Sequence, residues 1–118
     1  MRDGLNKPAV IKAALVEGRH KIADLGPHDG AVFPYIDNVF AFGQMADDAS
    51  AWLHDQVRDD PGLWVMRIYV TGLSQALVAF LDAWVLFTLD PEHSDRQLVL
   101  MHYDRETDRY VGQVWGRS

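Results

Sequence analysis

Between Leu63 and Leu89 the chain runs LWVMRIYVTGLSQALVAFLDAWVLFTL, in which Arg67 and Asp82 are the only charged residues. The flanks on both sides are rich in Asp and Arg, so the contrast marks this run as the centre of a core. Its internal order divides it. Trp64 to Val70 is β-branched and aromatic and is bounded by Gly62 and Gly72, which predicts a strand. Ser74 can cap a helix in which Leu77, Phe80, Leu81 and Trp84 recur at helical spacing. Val85 to Leu89 fits either a continuation of that helix or a new strand, and Asp90-Pro91 closes the segment.

Elsewhere the pattern is weaker. Val10, Ile11, Ala14 and Leu15, between Pro8 and Gly18, predict a short helix over 8–17. Gly26-Pro27 and Asp29-Gly30 mark 19–34 as turn-rich. Alternation from Asp37 to Phe42 predicts a strand. Asp47 and Asp48 open a predicted helix to about Val57, with Met45, Ala49, Trp52 and Leu53 as its apolar stripe and Asp59 to Gly62 as its stop. Gln97–Tyr103 and Arg109–Trp115 alternate with period two around the polar loop 104–108, which predicts a hairpin. The sum is a single α+β domain over 1–118, with about three helices and a mostly antiparallel sheet of four or five strands.

Composition narrows the classes. The 118 residues are 48% apolar and 24% charged, ordinary for a globular chain that buries roughly two-thirds of its unfolded surface. There is no cysteine, which removes disulfides, thiolate zinc sites and a cysteine nucleophile. A net charge of −6 speaks against nucleic acid as a partner. Residues 70–89 are long enough for a bilayer, but Gly72, Ser74 and the interior carboxylate of Asp82 argue for a buried strand and helix and against a membrane. The start MRDGLNKPAV has no apolar signal core, so a cytoplasmic location is expected.

Candidate chemistry is sparse. Asp82 lies among Leu81, Ala83, Phe80 and Trp84, where burial would raise a carboxyl pKa; one step off the apolar stripe, it can equally reach water or Arg67. The five histidines form no HxxxH or HxH pair. His102 shares a strand face with Leu98 and Leu100 and is a structural histidine or, failing that, a weak catalytic candidate. His28 and His93, with Asp29, Glu92 and Asp95, could form only an unspecific hard-metal site, and no metal is expected. GxGxxG, GxxxxGK[ST] and GxSxG are all absent.

NVFAFGQMADDASAWL (38–53) followed by GLWVMRIYVTGL (62–73) resembles the central part of small ADP-ribosyltransferases of the rifampin-modifying and toxin type. That resemblance implies an NAD-using fold, with DRETDRYVGQVW on its last strands and Tyr35, Asp82 or His102 near a site. Two features depart from the family: no histidine precedes Pro8, and Phe40 stands where a catalytic tyrosine is expected.

The leading expectation is a non-enzymatic, protein-binding domain of the accessory, inhibitor or immunity kind. It would act without cofactor through an apolar and aromatic surface, on a protein partner or as a homodimer. Trp84, Phe87, Tyr110 and Trp115 are the interface candidates. The alternative is an ADP-ribosyltransferase-like enzyme or a degenerate NAD-binding scaffold, with NAD as its cofactor. A small-molecule module with an aromatic pocket between sheet and helix is a third reading.

Overall fold

The computed structural model describes residues 9–17, 22, 24–26 and 29–116. His20, His28, Pro8 and Gly18 lie outside the described residues. The elements are β1 (Ala9–Val16), β2 (Ala31–Phe33), α1 (Phe42–Asp59), β3 (Leu63–Tyr69), α2 (Ser74–Leu89), β4 (Gln97–Asp104) and β5 (Arg109–Val114). The strands form one sheet in the order β2-β1-β3-β4-β5.

The pairings β1–β2, β1–β3 and β3–β4 are parallel, and only the β4–β5 hairpin is antiparallel. The architecture is therefore α+β as expected, but the sheet is mostly parallel and the described helices number two. The reason lies in the connections. A helix between two strands returns the chain to the end from which it started, so β3–α2–β4 generates parallel neighbours and β2–α1–β3 sets two parallel strands on either side of β1.

The predicted helix over 8–17 is a strand. Ile11, Ala13 and Leu15 face the helices while Ala14 packs on the opposite face, so apolar residues occupy both sides and imitate a helical period. The predicted strand over 37–42 is a turn. The Asn38 carboxamide oxygen accepts the Phe40 amide at 2.9 Å, the Ala41 amide donates to the Asn38 carbonyl at 3.1 Å, and α1 begins at Phe42, one turn ahead of Asp47. Asp47 and Asp48 thus sit in the helix, not at its start. The ambiguous stretch 85–89 completes α2, with the Thr88 hydroxyl donating to the Trp84 carbonyl at 2.9 Å.

Both helices pack on one sheet face. Leu15, Met66, Ile68, Leu98 and Leu100 meet Met45, Ala49 and Leu53 of α1 and Phe80, Trp84 and Phe87 of α2. On the other face Ile22 and Leu25, from the β1–β2 connection, pack with Ala14, Tyr69, Met101 and Tyr110. The two-sided covering follows from handedness. Going from β1 to β2 the chain moves one way across the sheet, and going on to β3 and β4 it moves the other way, so right-handed crossovers fall on opposite faces. Among the described residues no helix is long and apolar enough to cross a membrane.

Candidate functional site

The site-bearing region is the C-terminal edge of the parallel strands. Thr71, just beyond β3, donates its hydroxyl to the Val16 carbonyl at the end of β1, 2.8 Å away, and Gly72 follows with a φ of 80°. A left-handed turn of that kind is open to glycine at no steric cost and lets the chain leave the sheet for α2. Next to this turn opens a cleft of about 970 Å³, walled by Ile22, Asp24, Val70, Tyr103, Arg105, Asp108, Arg109 and Tyr110.

The hairpin sets the aromatic wall. Tyr103 and Tyr110 are cross-strand partners, so both rings stand on the face opposite the helices, at 5.5 Å between centroids. Tyr110 also meets the buried Tyr69 edge-on at 4.9 Å. Asp104 braces the hairpin loop, its carboxylate accepting the Glu106 amide and the Thr107 hydroxyl, both at 3.0 Å. Asp108 takes a φ of 55°, which aspartate tolerates better than most residues.

Two of the hydroxyls are spoken for. Tyr69 donates to Asp24 at 3.1 Å, and burial, then that hydrogen bond, push its pKa up to about 12. Tyr103 donates to Asp108, and that bond raises its pKa. Burial raises that of Tyr110. The guanidinium groups of Arg105 and Arg109, by contrast, have neither ion pair nor hydrogen bond among the described residues.

A second surface lies on α2. The helix is apolar nearly all round, and its solvent side leaves Val78, Val85, Leu86 and Leu89 exposed, Leu86 at 69% and Leu89 at 71%. At its start, a shallower groove of about 400 Å³ runs between Phe42 and Val78, with Gln75 and Asp82 on its rim. Phe40 and Phe42, also exposed, meet edge-to-face at 6.3 Å.

The sequence candidates fall in several places. Trp84 and Phe87 are core residues, 4% and 3% exposed. Trp115 is half-buried against the same core, its amide donating to the Leu98 carbonyl at 3.0 Å. Tyr110 alone of the four lines a cleft. Tyr35 is exposed in the β2–α1 loop, Asp82 is on the outer side of α2, and His102 on β4 donates Nε2–H to the Gln113 side chain at 2.8 Å. No hydrogen bond or ring contact joins these three. His93, offered as a metal ligand, is buried and stacked on Phe87 at 4.1 Å, and the described residues contain no cluster that could hold a metal.

Sequence reasoning missed Arg105, Arg109 and Asp24. The hairpin register was the available signal, since it pairs Tyr103 with Tyr110 and so gathers the polar loop around an aromatic wall. Comparison with known proteins finds no matching family model, no matching curated protein and no matching solved structure.

Proposed function

We propose that this chain is a protein-binding domain of the accessory, inhibitor or immunity kind, and that it works through the outer side of α2. One observation carries the reading: Val78, Val85, Leu86 and Leu89 stand in solvent on a helix whose other side is the core. Covering a leucine side chain fully contributes about 1.5–3 kcal/mol, so a stripe of four such residues is a strong attractor for another apolar surface.

Charge selects the occupant. Asp82 is the only charged residue on α2, Asp90 and Glu92 follow its end, and its last turn has no basic residue to offset the negative pole of the helix. A second copy of an acidic chain would bring like charges together across a two-fold axis. A partner helix with an apolar stripe flanked by Lys or Arg meets both the apolar and the electrostatic demand.

The test uses two model amphipathic helical peptides, one of Leu and Lys and one of Leu and Glu, titrated by fluorescence anisotropy alongside sedimentation of the protein alone. The Leu/Lys peptide is expected to bind, to weaken at least about tenfold with Leu86→Glu, and to weaken with salt. The Leu/Glu peptide is expected not to bind. Equal binding of both peptides, or binding untouched by Leu86→Glu and Val78→Glu, overturns the reading. A self-association abolished by Leu86→Glu would replace the partner with a second copy.

A further inference from the structure

We propose that the cleft at the C-terminal edge of the sheet binds a small organic anion carrying a planar ring, with its phosphate or carboxylate held by Arg105 and Arg109 and its ring against Tyr110. This inference is independent of the α2 surface and uses none of its residues.

Position is the first argument. In open sheets of parallel strands, ligands settle beyond the carboxyl ends of the strands, where neighbouring strands send their connections to opposite faces. Here β1 and β3 are those neighbours: β1 leads to Ile22 and Leu25 on one face, and β3 leads to α2 on the other. Val70, Thr71 and Gly72 at the end of β3 form one wall of the cleft.

The supply of free donors is the second. Both carboxylates in the cleft already accept a tyrosine hydroxyl, Asp24 from Tyr69 and Asp108 from Tyr103. The two guanidinium groups are unpaired among the described residues. The cleft thus holds two carboxylates already engaged by neutral hydroxyls and two guanidinium groups whose donors are not engaged among the described residues. Arginine presents a planar fork of donors that matches phosphate and carboxylate oxygens.

Shape is the third. Tyr110 is half-buried, with its ring in contact with those of Tyr69 and Tyr103, so it is a fixed aromatic surface at the cleft wall. A volume of about 970 Å³ lies at the upper end of the range usual for small-molecule sites.

Isothermal titration of the full chain with phenyl phosphate and with benzoate tests the assignment, and the tighter of the two identifies the anionic group. Saturable submillimolar binding of at least one is expected, with inorganic phosphate and phenol each at least about tenfold weaker. Arg105→Ala with Arg109→Ala should remove that binding while leaving the unliganded melting temperature unchanged, and Tyr110→Ala should weaken it. Leu86→Glu should leave it intact, which separates this result from the fate of the α2 reading. The inference is overturned if neither ring-bearing anion saturates, if inorganic phosphate binds equally well, or if the double arginine variant binds as the parent does.

Discussion

The two ends of the parallel strands are made from the same kinds of residue, arginine beside aromatic rings, and are finished in opposite ways. At the N-terminal end Arg96 is 6% exposed, and its guanidinium is engaged inside the chain. Its Nε donates to His93 Nδ1 at 3.0 Å, its Nη1 donates to the Leu63 carbonyl, and its guanidinium lies 4.9 Å from the Trp64 ring centre. His93 is itself stacked on Phe87, with His54 edge-on to both rings. At the C-terminal end Arg105 and Arg109 flank an aromatic wall too, yet none of the described residues takes their guanidinium donors. A buried guanidinium must be satisfied by its own fold, whereas an exposed one in a cleft is free for something else. The first end is therefore structural, and the second is where binding chemistry is available.

Phe87→Ala should produce the largest effect, a loss of about 4 kcal/mol in urea unfolding, because the ring fills the core between Trp84, His54 and His93. A loss below about 0.5 kcal/mol would mean that the sealed end is not sealed. Arg96→Met comes next, at about 3 kcal/mol. It removes one partner from each of two buried acceptors, the Leu63 carbonyl and His93 Nδ1, and leaves them without water. A neutral Arg96→Met would remove the distinction between the two ends.

How much of this contrast the sequence carried depends on the period of each segment. The helical spacing of Leu77, Phe80, Leu81 and Trp84 and the β-branched run 64–70 were legible because each has one clear period and one clear stop. β1 was not, because a strand covered on both faces puts apolar residues on both, and Val10, Ile11, Ala14 and Leu15 then fit 3.6 as well as 2.0. That one misreading hid the parallel sheet. With β1 recognised, strand–helix–strand units follow on one side, the connections diverge at its C-terminal end, and the cleft has a place. The polar side chains of the cleft stayed illegible for another reason: Asp24, Tyr69 and Arg109 are far apart in the chain and meet only through sheet order.

Tyr69→Phe sharpens the comparison from the open end. At neutral pH the lost hydrogen bond to Asp24 should cost about 1 kcal/mol. The larger signature is alkaline. The Tyr69 pKa is raised from 10.0 to about 12, so between those values the unfolded chain has released a proton that the folded chain still holds. The contribution of Tyr69 is therefore complete below about pH 10 and falls, by about 3 kcal/mol at most, as pH rises to about 12. Stability measured across that window should drop in the parent and drop less in Tyr69→Phe. Equal slopes would place the hydroxyl in water, and the cleft would lose its anchored wall.

The smallest expected effect is the most discriminating one. Arg105→Ala and Arg109→Ala should each change urea stability by less than about 0.5 kcal/mol, since both side chains are exposed and unpaired among the described residues. Set beside Arg96→Met, this compares one residue type at two ends of one sheet, and the ratio of the losses measures how far each end has committed its arginines to the fold. A loss above about 1 kcal/mol at Arg105 or Arg109 would show a partner inside the chain, and the donors would then not be free for a ligand. A negligible loss leaves two guanidinium groups that the fold does not need, held at the rim of an aromatic-walled cleft by a hairpin loop that Asp104 braces.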